Sequence, residues 1–257
     1  MKMKDEKYLK EEGIVLKISD VKDDDQIISI LTKNNGKIAL YAKGIKKSTS
    51  KLKQAGILGT YQSFEAVYGK TMWTLTGVKL NQPISKWHTD LFGLTIITQL
   101  CEIMDKVSYQ DEEIDEMYFL LMQKTLNWFN FANPWVLGKY FEWHMLDLLG
   151  YGSEIEICTS CGEAFNRSRW RSAASIYGGF YCKNCLDEVD RSSLIYFGEE
   201  DNGFLRFLET ADERNIAIYY PSRNLKKKID VYFKKVWEYI FDFSLSTYRF
   251  SDKITYK

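Results

Sequence analysis

Histidine is almost missing from this chain, with only His88 and His144 in 257 residues. That removes most histidine-based acid–base and nucleophile pairings. His144 falls on the apolar face of a helical pattern, where it reads as a core side chain. Proline is equally scarce: Pro83, Pro134 and Pro221 each fall at an element boundary, so no proline-rich linker divides the chain. No stretch approaches 18 consecutive apolar residues, so no membrane span is expected. The first twelve residues are charged throughout, which predicts no signal peptide. Phosphate-loop and calcium-loop patterns are absent too. Gly69-Lys70-Thr71 resembles the end of a phosphate loop, but Phe64 stands where the first glycine is needed. Asp23-Asp24-Asp25 lacks calcium-loop spacing and reads as an exposed turn. No carboxylate cluster has metal-ligand spacing. Together these absences leave little in the residues to support an enzyme, with a nucleic-acid enzyme still an open class at this point.

Cysteine is sparse but ordered. Four of five form two pairs, Cys158-Thr-Ser-Cys161 and Cys182-Lys-Asn-Cys185, separated by 20 residues. A Cys-x-x-Cys turn aims two thiolates at one ion, and two such turns complete a tetrahedral sulfur cage. Gly162, Gly178 and Gly179 let the chain turn tightly there. The spacing predicts one structural zinc held by Cys158, Cys161, Cys182 and Cys185. Four sulfurs leave no open position for catalysis. The remaining Cys101 lies in an apolar helical pattern as a core thiol. This thiol usage fits a reducing cytoplasm.

The first eighty residues alternate with a period of two. Strands are expected around Ile14–Ile18, Gln26–Thr32, Lys37–Ala42, Tyr61–Tyr68 and Met72–Leu80, with turns at Asn34-Asn35-Gly36 and Gly69-Lys70. Five short strands with one long loop between the third and fourth predict an oligonucleotide-binding (OB) barrel. After Pro83 the period becomes helical. Leu94, Ile97, Cys101, Met104 and Val107 step by three or four, as do Tyr118, Leu121, Thr125 and Trp128. Further helices are expected from Asn133-Pro134 to Gly150, over Glu199–Ala211, and from Pro221-Ser222 onward with Leu225, Ile229, Tyr232, Val236, Ile240 and Phe243 on one face. The fold class is therefore α+β: an OB barrel over residues 1–82, then a helical domain over 83–257 carrying an inserted zinc module at about 155–188. Residues after Ser244 take no assignment.

Zero net charge hides a strong asymmetry. Lys37–Leu80 holds eight lysines against one acid, Glu65, a balance of +7, while Asn81–Ile157 carries −8. The candidate DNA contacts are Lys37, Lys43, Lys46, Lys47, Lys51, Lys53 and Lys70, with Arg169 from the alternating set Arg167, Arg169, Arg171. Most of the lysines lie in the loop after the third strand, where Gly44, Ser48, Thr49 and Ser50 are expected to leave the chain free to move. Such ammonium groups neutralise phosphate without reading sequence. Tyr41, Tyr68 and Trp73 are candidates for base stacking, with the barrel interior as the competing destination for at least one of them. Lys226-Lys227-Lys228 opens the last helix as a second basic cluster.

In combination, the barrel, helical middle and late cysteine pairs resemble the bacterial recombination mediator and DNA repair family RecO over nearly the whole chain. Glu12-Gly13-Ile14-Val15-Leu16 is similar to that family's opening strand, and Asp25–Thr32 to its second. Gly36-Lys37 and Ala42–Ser48 resemble its glycine turn and basic loop, and Leu146–Tyr151 its passage into the zinc module. One departure is Lys22-Asp23-Asp24-Asp25, where the family often has Gly-Glu-x-Asp. The resemblance implies a non-enzymatic protein that binds single- and double-stranded DNA and anneals complementary strands. With RecR as partner it would help load RecA onto DNA coated by single-strand-binding protein (SSB), whose C-terminal tail it would recognise. It also implies a cytoplasmic, nucleoid-associated protein with no membrane partner. A zinc-ribbon adaptor whose barrel binds protein is the alternative, separated by salt-dependent DNA binding.

Overall fold

Alternating apolar residues close a barrel because each strand turns every second side chain inward. In the computed structural model, residues 7–110, 112, 115–152, 154–166, 171–248 and 250 are described. The strands are β1 (Tyr8–Asp20), β2 (Gln26–Thr32), β3 (Lys37–Ala42), β4 (Tyr61–Tyr68) and β5 (Trp73–Leu80). They close in the order β1-β2-β3-β5-β4, with β3 and β5 parallel and the other pairs antiparallel. This is the OB barrel expected from the sequence. Val15, Ile28, Ile30, Ile38, Leu40, Phe64, Trp73 and Leu75 fill its interior.

β1 serves both seams. Its first half pairs with β4 and its second with β2, and Gly13 faces Gln62 on one side and Thr32 on the other. A Cβ on Gly13 would lie 2.7 Å from the Leu31 carbonyl oxygen, so only glycine lets the strand cross there. A register shift between Val15 and Lys17 adds the bend that closure needs. Glu11 is buried and clamps the β2–β3 turn, accepting from the Asn34 backbone N–H and the Asn35 amide, both at 2.8 Å.

Two compact units emerge, Met1–Asn130 and Phe131–Lys257. The first joins the barrel to α1 (Leu91–Val107) and α2 (Glu116–Trp128), capped by Asp90 and Asp115. α1 packs on β1, with Ile97, Cys101 and Met104 buried along it. The Cys101 thiol donates to the Val15 carbonyl at 3.5 Å, and burial pushes its pKa up.

The second unit holds α3 (Pro134–Leu148), a three-stranded sheet in the order β7-β6-β8, then α4 (Glu199–Thr210), α5 (Glu213–Ala217) and α6 (Arg223–Phe241). The sheet strands are β6 (Arg171–Ser175), β7 (Phe180–Cys182) and β8 (Leu194–Tyr196). Asn133 and Ser222 cap α3 and α6 as their sequence context predicts, accepting from Trp135 and Leu225 N–H groups. α6 buries Leu225, Ile229, Tyr232 and Val236, while Ile240 is half-buried and Phe243 exposed. A buried polar knot ties α3 to α6 and to the chain beyond it. Lys139 pairs with Glu142 at 2.8 Å and Asp230 at 3.0 Å. Glu142 also accepts from Trp237 Nε1 at 2.9 Å and from the Tyr248 hydroxyl. Burial works against the Lys139 charge, but the two carboxylates outweigh it and hold its pKa above the ordinary value. Leu245 and Tyr248 are buried, which assigns part of the segment after Ser244 to the core. Among the described residues, no helix is long and apolar enough to cross a membrane.

Candidate functional site

The four paired cysteines converge. The sulfurs of Cys158, Cys161, Cys182 and Cys185 all lie within 4.8 Å of one another, and Cys182 and Cys185 are 3.6 Å apart. A tetrahedral zinc–thiolate cage has sulfur–sulfur edges of about 3.8 Å, so the cluster needs only a small contraction around an ion. The first pair sits on a tight turn closed by Gly162 N–H to the Cys158 carbonyl at 2.8 Å, with Gly162 at φ +68°. The Ile157–Ala164 bridge supports that turn. The second pair starts at the end of β7 and continues into a 3-10 turn over Lys183–Glu188. Thr159 joins the two: its N–H donates to the Phe180 carbonyl at 2.8 Å, and its hydroxyl accepts from Phe180 N–H at 3.0 Å. Gly179, at φ +91°, leaves room for that hydroxyl, since a Cβ there would sit 2.5 Å from it.

The donor set is chemically suited to a soft or borderline cation. Burial opposes ionisation of Cys158, but backbone N–H groups of Cys161, Cys182 and Ser160 outweigh it and lower its pKa to about 7. A Ser160 hydrogen bond favours the Cys185 thiolate, yet burial and the crowded neighbouring thiols raise it to about 12. A bound cation favours the thiolate form of such crowded sulfurs. The cluster could hold one metal ion, with no position left open.

The barrel presents a different surface. Ligands of OB barrels use the β2–β3 face and the loops between β1–β2 and β4–β5. On the outer face here, Ile27 opposes Tyr41 and Ser29 opposes Ala39. Tyr41 is thus outside the barrel, whereas Trp73 is buried within it and Tyr68 packs edge-on against Trp73 with ring centroids 5.1 Å apart. Tyr41 donates its hydroxyl to Asp25, whose other oxygen accepts from Gly44 N–H at 2.7 Å. These bonds, the Tyr41 one first, hold the Asp25 carboxyl below the usual carboxylate range. Asp25 is buried, in contrast to the exposed turn expected, and it latches the β1–β2 loop to the loop after β3. The Lys22–Asp25 turn closes without glycine, through Asp25 N–H to the Lys22 carbonyl at 3.3 Å.

The loop after β3 is a chain of turns, where the sequence predicted free motion. Lys47 N–H bonds Gly44, Ser50 N–H bonds Lys47, and Ala55 N–H bonds Leu52. Ile45 and Ala55 anchor it in the barrel core. Its lysines separate into two groups. Lys46 pairs with Asp20 at 3.1 Å and Lys47 with Asp24 at 3.9 Å. Lys37 bonds the Asp105 carboxylate at 2.9 Å and its carbonyl at 2.6 Å, so its charge is already matched on α1. Lys43, Lys51, Lys53 and Lys70 are exposed and carry no ion pair among the described residues. Arg169, with Arg167, lies outside the described residues. In the cluster on α6, Lys228 is bound by buried Asp201 at 2.6 Å, and Lys226 lies 5.8 Å from the centre of the Trp135 ring. Both histidines are satisfied structurally: His144 Nε2 meets the Leu208 carbonyl at 3.1 Å, and His88 meets the carbonyls of Leu58 and Ser85. The role of Asp25 is not legible from local spacing, because its partners Tyr41 and Gly44 lie 16 and 19 residues away.

Comparison with known proteins matches these features to one family. The chain matches the family model for the recombination protein O N-terminal domain over residues 3–84 and that for the C-terminal domain over residues 88–216. It is similar to the DNA repair protein RecO of Clostridium perfringens, 30% identical over 201 residues covering 76% of this chain and 78% of the relative. It is also similar to RecO of Symbiobacterium thermophilum, 25% identical over 221 residues covering 85% and 87%. RecO of Moorella thermoacetica is 29% identical over 187 residues, covering 73% and 70%. With both domain models matched in order across the barrel and the cysteine module, this chain belongs to the RecO family of DNA repair proteins.

Proposed function

We propose that this protein acts in DNA repair and homologous recombination as a non-enzymatic mediator that binds single- and double-stranded DNA and anneals complementary strands. One observation carries the reading: an OB barrel whose loops hold four exposed lysines, Lys43, Lys51, Lys53 and Lys70, without ion-pair partners among the described residues. Phosphates neutralised by those ammonium groups release counterions, and two strands on one positive surface repel each other less. Tyr41 beside them offers a ring for a base, worth on the order of 1–3 kcal/mol per stacked base. Lys46 and Lys47 would join by exchanging exposed carboxylates for phosphate, and Arg169 completes the proposed set. Lys37 is a weaker member because Asp105 already holds it.

The cysteine cage is proposed to hold one zinc through Cys158, Cys161, Cys182 and Cys185, which when bound supplies a cross-link between the two turns and no reaction. The family reading extends to partners: RecR, RecA indirectly, and the C-terminal tail of SSB. The −8 balance of Asn81–Ile157 disfavours DNA over that stretch and leaves surface for protein contacts. A strand-annealing assay with and without SSB tests the proposal. Annealing should proceed without nucleotide and persist on SSB-coated strands, and deleting the SSB tail should weaken association while leaving binding to bare DNA intact. Failure to anneal naked strands would refute it.

A further inference from the structure

Two neighbouring loops of the barrel carry opposite charge and are bound to each other. The β1–β2 turn holds Asp20, Asp23, Asp24 and Asp25, and the loop after β3 holds Lys43, Lys46, Lys47, Lys51 and Lys53. Val21 N–H bonds the Asp25 carbonyl at 3.1 Å and closes the turn. Gly44 N–H donates to the Asp25 carboxylate at 2.7 Å, and Lys46 N–H donates to the Asp24 carbonyl at 3.1 Å. The turn cannot swing away from the lysines without breaking these bonds. Its carboxylates therefore stay at high local concentration beside them.

Two of those carboxylates meet ammonium groups. Lys46 Nζ lies 3.1 Å from Asp20, and Lys47 Nζ lies 3.9 Å from Asp24. All four side chains are 39–64% exposed, so water and salt screen each pair and the lysine is held only weakly. Asp20 stays ionised: Gln26 first, and then Lys46, hold its carboxyl below the ordinary aspartate range. Lys37 is the contrast. Its side chain is 13% exposed and bonds both the carboxylate and the carbonyl of Asp105, so a phosphate would have to break a sheltered pair to reach it.

We propose that Asp20 and Asp24 are an internal competitor for DNA phosphate, occupying Lys46 and Lys47 when no strand is bound and recapturing them as a strand leaves. The inference rests on the DNA-binding reading and adds a means of release to it. The free lysines Lys43, Lys51 and Lys53 make the first contacts. Lys46 and Lys47 add theirs only by exchanging a carboxylate for a phosphate, so the last contacts made are the first lost. A surface that anneals must hold two strands and then give up the duplex, and this exchange shortens the stay without removing the positive charge that captures DNA.

Fluorescence anisotropy of the full chain with a labelled oligothymidylate at low salt tests the proposal. Asp20→Asn with Asp24→Asn keeps the side-chain shape at two exposed positions and removes both charges. It should tighten binding about fourfold, a factor of about two for each exposed pair released, and slow strand dissociation by a similar factor. The same two substitutions placed on Lys46→Ala with Lys47→Ala should change affinity by less than about 1.5-fold, since no masked ammonium remains to release. An equal gain in both backgrounds would mean that the acids act only as distant charge, and would overturn the proposal. Strand binding by the unaltered protein with no gain in the Asp20→Asn, Asp24→Asn variant would overturn the competition alone. Failure of the unaltered protein to bind the strand would refute the DNA-binding reading and the competition with it.

Discussion

Individual side chains gain their roles from neighbours far away in sequence. Asp25 became a latch because Tyr41 and Gly44 donate to it from 16 and 19 residues away, and no local pattern announces such a pairing. Its carboxyl is held low, so the stabilisation it gives is present above the ordinary aspartate range, near 3.9, and is lost as pH falls through the lowered value. Asp25→Asn should therefore lower the thermal midpoint at neutral pH, and the gap from the unaltered protein should close in acid. A gap independent of pH would deny the latch. Glu142 is a second such residue. It reads as an ordinary helix glutamate, but Lys139, Trp237 and Tyr248 all bond it inside the core. Removing one partner of a buried pair costs about 3–5 kcal/mol. Glu142→Ala should fall near the lower end, because Asp230 still faces Lys139. Urea denaturation measures this, and a loss below about 1 kcal/mol, the scale of an exposed pair, would mean the knot contributes little.

At the scale of elements, legibility followed periodicity and length. The barrel strands and the long helices were readable because each repeats its apolar spacing over several turns or pleats, and Asn133 and Ser222 marked two helix starts. The sheet β7-β6-β8 was not readable. Its strands span three to five residues, too few to show alternation, and it is organised by the cysteine turns and by Thr159 bridging to Phe180. α5, five residues long, was missed for the same reason. That dependence yields a prediction. Cys182→Ser should lose the metal and destabilise β6, β7 and β8 together, because the free energy of metal binding is here free energy of folding. Elemental analysis should find one zinc per unaltered chain and none in the variant. Hydrogen exchange should show the amides of that sheet opening while the barrel amides stay protected. Zinc-free protein purified without chelator, with its sheet still protected, would contradict the cage.

For the molecule as a whole, charge and topology had to be read together. The +7 stretch was visible in the sequence, but which lysines remain available was not, since Asp20, Asp24 and Asp105 take Lys46, Lys47 and Lys37 through tertiary contacts. The account makes Lys43, Lys51 and Lys53 central to phosphate contact. The most direct test is the salt dependence of single-stranded DNA binding by the unaltered protein and by the triple variant Lys43→Ala, Lys51→Ala, Lys53→Ala. Each lost contact should reduce the slope of log affinity against log salt by roughly 0.7 on single strands. The account predicts weaker binding at low salt and a slope smaller by about 2. An unchanged slope and affinity in the triple variant would contradict it.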